Sequence, residues 1–147
     1  MNILSQIIAN KMLIIPVAAW FVAQALKTII YSLGERHLTL YHMASPGGMP
    51  SAHAALVCAL ATTAGMVYGI GSGLFAISVI LAVVVMYDAT SVRQAVDKQS
   101  AILGHLLISF PKTQLEFEDR MEQLVGHTRF QVIAGAALGI LLALWWT

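Results

Sequence analysis

Four long apolar stretches decide what this chain can fold into. An α-helix needs about 20 apolar residues to cross the hydrocarbon core of a bilayer. We expect spans at Met12–Leu33, Ala52–Gly69, Leu74–Tyr87 with an extension past Asp88, and Phe130–Trp146. The chain is 59% hydrophobic and 10% charged, which leaves too little polar surface for a soluble protein of 147 residues. The sequence therefore predicts an all-α integral membrane protein with a single domain, residues 1–147.

The stretch between the third and fourth spans predicts one further element. Its apolar piece, Ala101–Phe110, is too short to cross a membrane, so we expect it to lie in the interface or to re-enter. The single cysteine, Cys58, excludes an internal disulfide. The net charge of +1 argues against a nucleic-acid partner, and the first ten residues lack the features of a cleavable signal peptide. The predicted fold is a bundle of about four transmembrane helices plus an interfacial or re-entrant helix.

The segment from Gly47 to His53, with the sequence GGMPSAH, has the composition of an anion-binding site. Gly48 and its neighbour let the backbone approach a ligand closely, and Ser51 suits a helix N-cap. His53 then lies in the first helical turn, where backbone N–H groups and the helix dipole attract anions. A capped helix with an incidental histidine explains the segment equally well.

Alternation of the spans brings the unusual polar residues to one side of the membrane. The first and third spans end on the side where the second and fourth begin. The residues that collect there are Lys27, Arg36, Ser51, His53, Asp88, Arg93 and His127. Each alone has a simpler explanation, such as a snorkelling lysine or a surface ion pair. Because ionisable groups are costly at membrane depth, several together predict a functional site.

The residue types at this side favour a phosphate monoester as ligand. Lys27, Arg36 and Arg93 are cations that, with a helix N-terminus, match a dianion. Two histidines can divide the chemistry: one attacks phosphorus and forms a phosphohistidine, while the other protonates the departing alcohol and later activates water. This scheme requires no metal and no other cofactor.

Three motifs, GGMPSAHAA from Gly47, YDATSVR from Tyr87 and GHTRFQVIAG from Gly126, resemble the divergent PAP2 family. These small membrane proteins are related to acid phosphatases and vanadium-dependent haloperoxidases, and the resemblance covers almost the whole chain. It implies phosphate binding by Lys27, Arg36, Ser51 and Arg93, a general acid at His53 and a nucleophile at His127.

Two departures from the superfamily pattern concern the nucleophile. Arg93 and His127 are far apart, whereas the superfamily keeps these residues within one short motif. The acid expected four residues after the nucleophile is Gln131, which can accept a hydrogen bond from imidazole but cannot stabilise an imidazolium by charge. Either Asp88 takes over that role, or the protein is slow or inactive.

The basic residues predict which side the site faces. Those at the motif end are Arg36, Arg93, Lys98, Lys112, Arg120 and Arg129, whereas the other end has Lys11. The positive-inside rule therefore predicts a site that faces the cytoplasm, in a bacterium from its inner membrane. A lipid phosphate fits this position, and phosphatidylglycerophosphate, phosphatidate and a polyprenyl phosphate are all compatible.

Two other classes of function remain open at the level of sequence. The protein could bind a phosphate or lipid head group without turnover. A metal site at His37 and His42 is less favoured, because it has no HExxH motif and lies among cations. The small-residue pairs in Gly65–Gly69 and Gly135–Gly139 favour close helix packing, within one chain or between the copies of a homodimer.

Overall fold

The computed structural model describes residues 2–35, 48–106 and 128–147. This part of the chain forms helices and no strands, which confirms the all-α prediction. The helices are α1 (Ile3–Ala9), α2 (Lys11–Glu35), α3 (Ala52–Tyr68), α4 (Gly73–Leu106) and α5 (Arg129–Trp146).

Each of the four predicted spans is a helix. Three segments are long and apolar enough to cross a membrane: Lys11–Leu33, Gly73–Ser91 and Arg129–Trp146. The fourth helix, α3, has 17 residues and is a shorter apolar helix, about 25 Å long at 1.5 Å per residue. Nine of its 17 residues are buried by the other helices.

Two features differ from the expected arrangement. Helix α4 continues past its apolar segment to Leu106, so the piece Ala101–Phe110 begins as the end of α4 and not as a separate helix; residues 107–110 lie outside the described residues. The reason is local, because the stretch after Ser91 contains no proline and no glycine before Gly104. The short helix α1 was not expected, and all its residues are exposed.

Helix α3 is the centre of the bundle. It contacts α2, α4 and α5, whereas α2 and α4 do not contact each other within the described residues. Alanine occupies most of its buried positions, which lets the neighbouring helices approach closely. The face of α3 between α2 and α4 is therefore not closed by another described helix.

Helices α3 and α5 are parallel and packed backbone to backbone. A Cβ atom added at Gly135 would overlap the carbonyl oxygen of Ser51, and one at Gly139 would overlap that of Ala55. One turn further along both helices, Ala143 shares a buried cluster with Ala59. The Gly135–Gly139 pair thus serves packing within one chain, which confirms one of the two predicted uses.

Helices α2 and α4 run antiparallel to α3. On α2, Ala23 packs with Ala52 and Ala55 near the start of α3, while Ala19 packs with Ala59 further along. On α4, Phe75 contacts Gly65, and Met86 lies beside Cys58 with their sulfur atoms 3.7 Å apart. The predicted alternation is confirmed: the N-termini of α3 and α5 lie at one end of the bundle, which we call the motif end.

Candidate functional site

The N-terminus of α3 is capped as the sequence predicts. Ser51 is the N-cap residue, and its buried side-chain oxygen accepts a hydrogen bond from the Ala54 N–H group at 3.4 Å. The chain reaches it through Gly48, whose φ is +89°, and a cis Met49–Pro50 peptide bond. Because the Ser51 oxygen acts as the acceptor in this bond, its hydroxyl group can still donate a hydrogen bond to a ligand.

Lys27 is enclosed at the same level of the bundle. It lies four residues after Ala23 and eight after Ala19, on the face of α2 that packs against α3. A Cβ atom at Gly48 would lie 2.8 Å from Lys27 Cδ and 3.1 Å from its Cγ, so the lysine stem packs against Gly48. Only 3% of Lys27 is exposed, whereas a snorkelling lysine keeps its amino group in water.

Tyr31 is a neighbour of the site that sequence analysis missed. It lies one turn beyond Lys27 on α2, and its Cε2 atom is 2.7 Å from the Cβ position of Gly48. The available signal was the spacing of four residues from Lys27, which places both side chains on one helix face.

The first turn of α5 is bonded directly to this segment. The Ser51 N–H group donates to the backbone carbonyl oxygen of Gln131 at 3.0 Å. Because α3 and α5 are parallel, the positive ends of both helix dipoles lie at the motif end. Lys27 and two helix N-termini therefore meet around Gly48 and Ser51.

The side chain of Gln131 has a structural role at the start of α5. Thr128 and Gln131 form a capping box: the Thr128 N–H group donates to Gln131 Oε1 at 2.8 Å, and the Gln131 N–H group donates to Thr128 Oγ1 at 3.2 Å. This pairing accounts for a glutamine at this position without an imidazole partner. The oxygen that was considered as an acceptor for a histidine already accepts a bond from the cap.

The structure describes only some of the other predicted site residues. His53 is exposed in the first turn of α3, on the face that no described helix covers. The backbone of Arg93 is level with Ser51, because each is seven residues, about two turns, from the Cys58–Met86 contact. The Arg93 side chain, Arg36 and His127 lie outside the described part of the structure, although His127 directly precedes the cap residue Thr128.

Asp88 is the predicted site residue on the apolar part of α4. Its side chain is exposed, and it lies on a different face of α4 from the buried Ser78 and Ala82. The described residues also contain no group of three or more His, Cys, Asp or Glu placed to hold a metal ion. His37 and His42 lie outside the described residues.

Comparison with known proteins agrees with the motifs. The divergent PAP2 family matches residues 8–142. The "uncharacterized membrane protein YuiD" of Bacillus subtilis (strain 168) is 36% identical, over 95% of both chains. No solved structure matches. With the family covering nearly all of the chain and three helices able to cross a bilayer, the protein is an integral membrane protein that belongs to the divergent PAP2 family.

Proposed function

We propose that this protein binds the phosphate monoester of a membrane lipid and hydrolyses it without a metal. The observation that supports this proposal most strongly is the enclosed Lys27 side chain, packed against Gly48 beside the capped N-terminus of α3. A buried cation is costly inside a membrane. Two helix N-termini add positive potential at the same place. A bound phosphate offsets the charge of Lys27 and the positive ends of both helix dipoles.

Phosphate binding requires donors that surround several oxygens. In the proposed site the backbone N–H groups of Ala52 and His53 and the Ser51 hydroxyl donate hydrogen bonds, while Lys27 contributes a point charge. Arg93, whose backbone is level with Ser51, and Arg36 provide the remaining cations. Gly48 allows close approach because it carries no Cβ atom.

Hydrolysis proceeds in two steps through histidine. A neutral imidazole nitrogen of His127 attacks phosphorus, the bond from phosphorus to the lipid oxygen breaks, and His53 gives that oxygen a proton. Water then attacks the phosphohistidine with His53 as base, which releases inorganic phosphate and regenerates His127. Chain connectivity supports this pairing, since His127 adjoins Thr128 and the first turn of α5 is bonded to Ser51.

The uncovered face of α3 supports a lipid as substrate. His53, Leu56 and Leu60 follow one another at helical spacing on this side of α3, and the two leucines are half-buried, with Leu56 packed against a cluster that includes Ala82 of α4. An apolar strip thus leads from the proposed phosphate position along α3 into the bilayer. Phosphatidylglycerophosphate, phosphatidate and a polyprenyl phosphate all have chains that can follow it, and the basic residues favour the cytoplasmic leaflet of a bacterial inner membrane.

A second candidate function is lipid-head-group binding without turnover. The residue that favours it is Gln131, because an amide replaces the expected acid and its oxygen serves the helix cap. Asp88 as a replacement stays a prediction, and its exposed position on α4 gives it no support. A homodimer also stays a proposal, and it needs a face other than Gly135–Gly139 because α3 occupies that face.

Phosphate release from a panel of lipid phosphates, by purified protein in detergent with EDTA, tests the proposed reaction. We expect wild-type release that EDTA does not abolish. His127→Ala should abolish turnover and retain phosphate binding, whereas Arg93→Ala should weaken both. No release from any lipid, together with measurable vanadate binding, would favour the second candidate.

A further inference from the structure

Helix α2 places two side chains on Gly48. Lys27 and Tyr31 are separated by one turn, about 6 Å along the helix axis, and both approach the same glycine. Tyr31 is half-buried, unlike the exposed Tyr68 and Tyr87. Its ring is therefore held within the bundle at the motif end.

The part of the Tyr31 ring that meets Gly48 is the end that carries the hydroxyl group. The contacting atom, Cε2, is bonded to the ring carbon that bears the hydroxyl oxygen. The hydroxyl group of a tyrosine carries a proton, so it can donate a hydrogen bond to an anion. A tyrosine that only marks the membrane interface would direct this end towards water or lipid head groups.

Building on the proposed function, we propose that Tyr31 is a further phosphate-binding residue. Its hydroxyl donates a hydrogen bond to a phosphate oxygen on the outer side of the ligand, one turn nearer the membrane surface than Lys27. Lys27 and Tyr31, one turn apart on α2, thereby bind the same phosphate. This arrangement also explains Gly48, because a Cβ atom there would lie closer to both side chains than real contacts allow.

The test is Tyr31→Phe, which removes the hydroxyl and keeps the ring packed against Gly48. Binding of orthovanadate to purified protein in detergent is measured by calorimetry, together with the unfolding temperature. We expect roughly tenfold weaker binding, the usual effect of one hydrogen bond to a charged group, with an unchanged unfolding temperature. Tyr68→Phe, at the far end of α3, is the matched control and should bind as wild type.

Each contrary outcome identifies what fails. Wild-type affinity in Tyr31→Phe overturns the role of Tyr31 and leaves the proposed site intact. A weaker affinity that comes with a lower unfolding temperature assigns Tyr31 to packing and also overturns it. A wild-type protein that binds no vanadate overturns the proposed function and the role of Tyr31 together.

Discussion

At the scale of single residues, the site depends on a glycine as much as on a cation. Gly48 has a positive φ that residues other than glycine rarely adopt. The side chains of Lys27 and Tyr31 pack against it. The lysine is enclosed where a membrane protein normally avoids charge. These two properties support a role beyond packing.

Lys27→Met separates the charge of Lys27 from its packing. Methionine fills a similar volume, so we expect the unfolding temperature to stay the same or to rise, because a costly buried charge is removed. Vanadate binding should fall by at least about tenfold with the loss of a charged contact. Lys11→Met, at the opposite end of α2 where the lysine is exposed, is the control. Equal affinity in the two variants would show that Lys27 is structural.

Sequence reasoning selected Lys27, Gly48 and Ser51 as candidate site residues because each has a local signal. A lysine inside an apolar run, glycines before a proline, and a serine before an apolar helix all indicate specific chemistry. The signal for Tyr31, its spacing of four residues from Lys27, is weaker, since an aromatic residue near the end of a span is ordinary in membrane proteins. Gln131 was interpreted through the family pattern, whereas its capping box with Thr128 could have been recognised from their spacing.

At the scale of helices, the α3–α5 contact sets the position of the site. Gly135 and Gly139 allow the two backbones to meet, and this closeness brings the Gln131 carbonyl to the Ser51 N–H group. Because α3 is short, it needs such neighbours to bury its surface. Packing at these glycines therefore controls the geometry of the proposed phosphate site.

Gly139→Ala tests this contact, because the contact decides whether the substitution raises or lowers the stability of the protein. Alanine is favoured over glycine in a helix by about 1 kcal/mol, so an unconstrained site would gain stability. At Gly139 the added Cβ atom overlaps a backbone oxygen of α3 that cannot move easily, and overpacking costs about 1–3 kcal/mol. We expect a lower unfolding temperature in detergent. Gly73→Ala, where nothing lies within 4 Å, should not be destabilised, and similar losses in both variants would contradict the packing.

At the scale of the whole molecule, the apolar runs determined most of the fold. Their lengths and alternation correctly predicted four helices, their directions and the end at which Lys27 and Ser51 meet. They did not predict that α4 continues to Leu106, since a polar stretch without helix breakers looks the same whether it is helix or loop. They also gave no information on side-chain orientation, so the exposed position of Asp88 on α4 could not be predicted from them.

Sidedness is a prediction about the whole bundle. If the motif end faces the cytoplasm, the turn between α3 and α4 faces outward. A cysteine at exposed Gly71 should react with a membrane-impermeant maleimide in intact bacteria, whereas the buried native Cys58 should not. Labelling of Gly71→Cys only after the membrane is permeabilised would reverse the orientation and place the site outside.

The most direct test of the central claim is to locate a bound phosphate on the backbone. Nuclear magnetic resonance of detergent-solubilised protein, labelled with ¹⁵N at glycine and alanine, is followed during titration with orthovanadate. We predict that the amide signals of Gly48 and Ala52 shift with saturation, while those of Gly71 and Gly73 at the opposite end do not. Unchanged signals at Gly48 and Ala52, or shifts of equal size at both ends, would contradict a phosphate site at the N-terminus of α3.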